Sequence, residues 1–313
     1  MHNTLAAVLS KNPGTEDPAL VISRGNLVCW NCNKAEPSGP EDQVFCFRIK
    51  RSNKMEKAVK LEQTEGIAII TLNRAKAYNS FDVEMVQLLA DILVKLALDP
   101  EVAGVVISGE GRAFCAGGDL ACIRDYGKTY GVAFHELAAR FHQAILEIRH
   151  MPKPVVAAIN GLAAGGGFSM ALACDFRIME SSAILMQAYT TNGLSIDGGG
   201  TFALPRLVGL AKALEIATFD QPINSEKALA WGLVTEVIKD GASVKRSIQM
   251  LEDIKRRSLT SFAASKKLIT DSFSTTFEAQ LERERELLAW CGDQPNGREG
   301  VAAFLEKRKP VFK

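Results

Sequence analysis

Two glycine-rich turns carry the plainest chemical signal in this sequence. Gly165, Gly166 and Gly167 follow the apolar run 155–159 and lead into Phe168-Ser169-Met170-Ala171-Leu172-Ala173, a good helix-forming segment. A buried strand, a turn and a helix start aim several backbone N–H groups into one small volume, backed by the positive end of the helix dipole. Without Cβ atoms, the glycines let a ligand reach the main chain. A second turn, Cys115-Ala116-Gly117-Gly118-Asp119, follows the apolar run 104–109. Each turn alone reads equally well as a tight bend in an α/β protein. Together, after two strands of one parallel sheet, they fall at the same sheet edge, where ligands bind beyond the strands' carboxyl ends. The chemistry that suits them is holding negative charge, on an anion or on an oxygen that gains charge during reaction.

Positioning those turns takes a frame, and the frame is legible as alternating strands and helices. Segments 58–61 and 66–72 read as strands, followed by a turn, 73–80, that carries the basic pair Arg74 and Lys76. Met85, Leu88, Leu89, Ile92, Leu93 and Leu96 fall at helical spacing until Asp99-Pro100 stops the helix. Phe134, Leu137, Ala138, Phe141, Ile145 and Ile148 mark a second amphipathic helix, with His142 at the border of its apolar face. A lone histidine there is ordinarily a packed or half-exposed residue. Later segments read as helices over 211–217 and 225–231, a strand over 232–238, and helices to the end. There Phe277, Leu281, Leu287 and Leu288 suit packing on the body or on a neighbouring subunit. The class is α/β.

Composition bounds the function. The chain has 313 residues, 47% hydrophobic and 23% charged, with a net charge of +1. It can bury a substantial core, and nothing in its overall charge points to nucleic acid or an anionic membrane surface. No run has the ~18 consecutive apolar residues of a membrane span. Seven cysteines without a framework fit reduced thiols in a cytoplasmic setting. Residues 1–54 stand apart: Pro13-Gly14, Pro18 and Pro37-Ser38-Gly39-Pro40 break periodicity, and neither a secretory signal nor a transit peptide is evident. We expect a poorly ordered extension there. Cys29, Cys32 and Cys46 lack a fourth ligand at a suitable spacing, so no metal is expected.

In order and spacing, LNRAKAYNSF (72–81), GRAFCAGGDL (111–120) and KPVVAAINGLAAGGGFSMALACDFRI (153–178) resemble the crotonase (enoyl-CoA hydratase/isomerase) superfamily. The resemblance covers about residues 57–313. It implies a ClpP-like spiral of ββα units over 55–255 and a helical region over 256–313 used in trimerisation, giving a homotrimer or dimer of trimers. It implies acyl-CoA thioester substrates, with coenzyme A as part of the substrate and no separate cofactor. By position, Gly118 and Gly166 would hold the thioester oxygen through their N–H groups. Arg74, Lys76, Ala116 and Lys309 would bind CoA, although the family's usual proline between the basic pair is Ala75 here.

Acid–base chemistry is where this sequence departs from the family's hydratases. Those enzymes use two glutamates, and Ser169 and Tyr189 stand at their positions, lining the acyl pocket. Neither is a carboxylate acid or base. His142 matches the register of the histidine base of 4-chlorobenzoyl-CoA dehalogenase. Asp197, in GLSIDGGGTFALPRLVG (193–209), resembles the aspartate of GLxPDGG-type segments in enoyl-CoA isomerases, with Ile196 in place of the common proline. The resemblance therefore implies an enoyl-CoA isomerase with Asp197 as the single acid/base. The alternatives are a hydrolytic enzyme with an Asp197 nucleophile and a His142 base, or a CoA-binding scaffold in which Asp197 merely caps a helix over 198–201. Asp119 reads as structural, and burial among Leu194, Ile196 and Phe202 is expected for Asp197.

Overall fold

Apolar runs without polar alternation become the strands covered on both faces. The computed structural model describes residues 57–312 and three two-residue strands of the N-terminal extension. Those strands, β1 (Val21–Ile22), β2 (Val28–Cys29) and β3 (Phe45–Cys46), pair antiparallel in the order β2-β1-β3. Residues 1–56 group as a unit of their own, distinct from 57–313. The rest of the extension, and with it the expectation of poor order and the Cys29, Cys32 and Cys46 side chains, lies outside the described residues.

In the second unit a hairpin of β4 (Val59–Thr64) and β5 (Ile67–Leu72) leads to α1 (Val83–Leu98). Asp82 caps α1 by accepting the Met85 N–H at 2.9 Å. Three strand pairs follow: β6 (Gly104–Gly109) with β7 (Ala113–Cys115), β8 (Val155–Ile159) with β9 (Leu162–Ala164), and β10 (Phe176–Glu180) with β11 (Ile184–Met186). The first strand of each pair enters a six-stranded sheet, in the order β13-β10-β8-β6-β5-β4, and the second enters a four-stranded sheet, β12-β11-β9-β7. Helices α2 (Leu120–Arg124) and α3 (Tyr130–His150) close the first repeat, and α4 (Gly166–Ala173) closes the second. This is the expected spiral of ββα turns. The chain then adds α5 (Gly200–Val208), α6 (Leu210–Phe219), β12 (Ile223–Asn224), α7 (Ser225–Ala230) and β13 (Glu236–Ile238). The strand expected over 232–238 is shorter than its apolar run. Gly232, at φ +73°, ends α7, and Leu233 and Val234 go into the core before pairing begins.

Period-two burial sorts the large sheet's side chains between two cores. Ile70, Leu72, Ile107, Ala157 and Ile159 face the main core beneath α1 and α3. Ile67, Val106, Val156 and Ile178 face the other side, against Leu251 of α8 (Ser243–Lys255). Beyond α8 the chain is helical: α9 (Leu259–Asp271), α10 (Phe277–Asp293) and α11 (Pro295–Leu305). Lys266 of α9 anchors this region. Its buried ammonium donates to the Ile148 and Lys153 carbonyls and to Asp175 Oδ2 at 3.0, 3.2 and 2.7 Å. By contrast α10 buries no residue, and Phe277, Leu288, Phe304 and Leu305 are exposed.

Candidate active site

Interlocked backbone brings the two glycine turns together. Gly117 adopts φ +88°, and a Cβ on it would stand 3.0 Å from the Gly166 nitrogen. A Cβ on Gly167 would stand 2.0 Å from the Cys115 carbonyl oxygen, which only glycine permits. Two asparagines clamp the loops that lead in. Buried Asn79 donates to the Glu110 and Ala113 carbonyls, and Asn160 donates to those of Gly109 and Gly111. Phe81 joins its backbone to the same turn, donating to the Gly117 carbonyl and accepting from the Asp119 N–H. The N–H groups of Gly118 and Gly166 are left with no acceptor among the described residues. They are two fixed donors on neighbouring turns, one at the N-terminus of α4.

Arg74 is held in a network of its own. Its guanidinium reaches Asp119 Oδ2 at 2.8 Å and Asp82 Oδ2 at 3.2 Å, and also donates to the Ser80 carbonyl. These contacts tie the α1 cap to the α2 cap. Asp119 is structural as expected. It caps α2 through Ala121 and Cys122, and although burial opposes its charge, Arg74 holds its carboxyl below the usual range. Lys76 is exposed beside it. Ala116 uses its N–H on the Tyr78 carbonyl, 3.0 Å, which leaves its own carbonyl for a ligand. Lys309 is exposed in the tail, next to Arg308, which is pinned by Glu299 and Glu306.

The acid–base candidates do converge. His142 of α3 meets Asp197, Nε2 to Oδ1, at 2.5 Å across 55 residues of sequence. The carboxylate side chain is 36% exposed, and the imidazole is 50% exposed. The expected burial of Asp197 is not found, because Leu194 and Ile196 are only half-buried and Phe202 turns outward. Nor does Asp197 cap a helix. The N-cap of α5 is Gly199, at φ +76°, with no side-chain hydrogen bond. Asp197 Oδ2 has no partner among the described residues.

Ser169 and Tyr189 lie close to this pair. Burial raises the Tyr189 phenol's pKa well above its ordinary value, the Asp197 charge adds to the effect, and the phenol stays protonated. Ser169 Oγ is fully buried beside the Tyr189 phenol. Cys115, beneath the donor turns, is pushed by burial up to about 12, so it remains a thiol.

A ring pair that sequence reasoning missed holds both halves. Phe81 and Phe141 stack with centroids 4.4 Å apart. A Cβ on Gly166 would stand 2.5 Å from Phe81, and one on Gly198 would stand 2.4 Å from Phe141. The same stack therefore sets the donor turn and the Asp197 loop. Its only sequence signal was an apolar residue placed just after one motif and just before His142.

Comparison with known proteins agrees with this geometry. The enoyl-CoA hydratase/isomerase family profile matches residues 62–313. The chain is 38% identical over 255 residues to a probable enoyl-CoA hydratase of Rhodobacter capsulatus, covering 81% of this chain and 97% of that one. It is 33% identical over 256 residues to the 1,2-epoxyphenylacetyl-CoA isomerase of Escherichia coli, covering 79% and 95%. The crystal structure of an enoyl-CoA hydratase from Polaromonas sp. JS666 superposes with a TM-score of 0.78 at 35% identity, covering 82% of this chain and 99% of that one. With the spiral, the paired glycine turns and these matches in agreement, the chain belongs to the enoyl-CoA hydratase/isomerase (crotonase) family.

Proposed function

We propose that this protein is an enoyl-CoA isomerase that shifts a double bond by moving one proton with Asp197. The observation that carries the reading is the position of Asp197: it is the carboxylate beside Ser169 and Tyr189, and one of its oxygens is held by His142 while the other is free. Gly118 and Gly166 donate to the thioester oxygen. Asp197 takes a proton from a carbon next to the thioester-conjugated system, the electron pair moves onto that oxygen as an enolate, and the Asp197 carboxylic acid, which exchanges its proton with solvent, returns one at the other end. Two fixed donors stabilise that charge, and losing one typically costs ~3–4 kcal/mol. Hydration by a carboxylate pair has no support here, since Ser169 and Tyr189 occupy both positions. The similarity to an isomerase of 1,2-epoxyphenylacetyl-CoA fits the reading, as the relatives named hydratases do not.

A second reading rests on the same contact. His142 against Asp197 is also what a nucleophilic carboxylate with a water-activating base requires, with an ester on Asp197 as intermediate. Arg74, Lys76, Ala116 and Lys309 are the candidates for CoA. The exposed apolar residues of α10 and α11 fit the trimer or dimer of trimers of the resemblance. Incubating the protein with trans-2-octenoyl-CoA in D2O tests the proposal. Deuterium in recovered enoyl-CoA, with little 3-hydroxyacyl-CoA formed, is expected. Rapid hydration without exchange would overturn it, and a mass shift on the Asp197 peptide would establish the hydrolytic reading.

A further inference from the structure

Beyond Ser169 the site opens into a cavity of about 420 Å³ that runs along α3. Its walls are largely apolar, including Ile145, Ala173 and Ala203, yet its far end is not. Arg149 stands there, two turns of α3 past His142, or about 10 Å along the helix axis. Its side chain lines the same cavity as His142 and Ser169. The guanidinium is half-buried and has neither a hydrogen bond nor an ion pair among the described residues. Its contact is with the ring of Phe202, 5.2 Å from guanidinium carbon to centroid.

The charges around it do not neutralise it. Arg206 covers the same Phe202 ring at 3.4 Å. Asp271 is the acid that lines the cavity, and it is approached by Lys267 at 3.5 Å and Arg283 at 3.7 Å. Asp175 is committed to Lys266. Burial lowers the Arg149 pKa despite the two carboxylates within range, so an added anion would relieve an existing cost. The planar fork of arginine matches a carboxylate with two parallel hydrogen bonds, and Phe202 supports the guanidinium plane.

Resting on the acyl-CoA reading of this site, we propose that Arg149 determines specificity, and that the pocket selects acyl groups carrying a carboxylate at the end remote from the thioester. The ligand class is a CoA ester of a dicarboxylic acid. A plain fatty acyl chain would leave the guanidinium desolvated and unpaired.

Binding of suberyl-CoA and octanoyl-CoA, saturated esters that cannot be turned over, tests this by calorimetry on the full chain. The wild-type protein should bind suberyl-CoA about tenfold or more tighter. Arg149→Met should abolish or reverse that preference and leave octanoyl-CoA affinity within about threefold, while Arg149→Lys, with charge but no fork, should fall between. Thermal melting confirms that each variant is folded, and the wild-type comparison stands even if a variant is not. Equal affinities in the wild type, or a preference that survives Arg149→Met, would overturn the proposal. Failure of both esters to bind would remove the acyl-CoA reading and this inference with it. Loss of selectivity alone would leave the reading intact.

Discussion

Replacing Asp197 by asparagine should separate catalysis from stability, and the structure sets both magnitudes. On the stability side, the substitution alters the contact with His142 at 2.5 Å, whose side chains are 36% and 50% exposed. Pairs that exposed are worth ~0.2–1 kcal/mol. The cap of α5 involves Gly199 and no side chain, so the ~1 kcal/mol of a broken N-cap is not added. A cost near ~1 kcal/mol lowers Tm by ~2–4 °C in a folded unit of this size. On the catalytic side, an amide keeps the shape of the carboxylate but exchanges no proton at useful rates, which removes ~10²–10⁴-fold in turnover. Affinity for a CoA ester should stay near wild type, since Asp197 acts on the acyl carbons and not on CoA. The assay is turnover of an enoyl-CoA at saturation, with Tm and ester affinity measured on the same preparation. Turnover within about tenfold of wild type would refute the acid/base role. A Tm fall beyond ~8 °C would show that Asp197 carries structure that its contacts do not account for.

Two further outcomes follow from the charged networks. Arg74→Met should destabilise the protein at pH 7, because Arg74 ties together Asp119 and Asp82. Asp119's folded pKa is depressed, so its stabilising contribution is present above its unfolded value and is lost as pH falls below ~4. The gap in Tm between wild type and variant should therefore shrink in thermal scans at pH 3. Lys266→Met removes the partner of buried Asp175 and one donor from the Ile148 and Lys153 carbonyls. Breaking a buried pair in this way costs ~3–5 kcal/mol, and a Tm unchanged in calorimetry would contradict it.

What could be read from the sequence was what depends on local pattern. Apolar runs without alternation gave the central strands, and period-3.6 spacing gave α1 and α3 close to their observed limits. Glycines flanked by such elements marked both donor turns, because only glycine tolerates the approach of Cys115 to Gly167. Long-range pairing was harder. Nothing within Arg74's own turn announces that it pairs with acids 8 and 45 residues away. Asp197 was read as a possible cap, and only the fold brings His142 within 2.5 Å of it. Arg149 was invisible as a functional residue, since its meaning depends on which groups fail to reach it.

By the family resemblance Ser169 stands at a hydratase glutamate position, and its packing ties that position to the Asp197 loop. Ser169 is buried, and its neighbours are the glycines of the Asp197 loop: a Cβ on Gly198 would stand 3.1 Å from Ser169 Cβ, and one on Gly200 would stand 2.6 Å from its Oγ. A glutamate at 169 would need the volume these glycines occupy, and overpacking there would push the loop outward. That loop carries Asp197 and begins α5, and Gly198 rests on Phe141, which stacks on Phe81 beneath Gly166. A carboxylate on α4 and a carboxylate on the Asp197 loop thus compete for one space over one platform. The geometry of the donor turns is set by Phe81 and by interlocked glycines. In this chain the small residue at 169 leaves room for the glycines of the loop, and that loop carries the aspartate that meets His142.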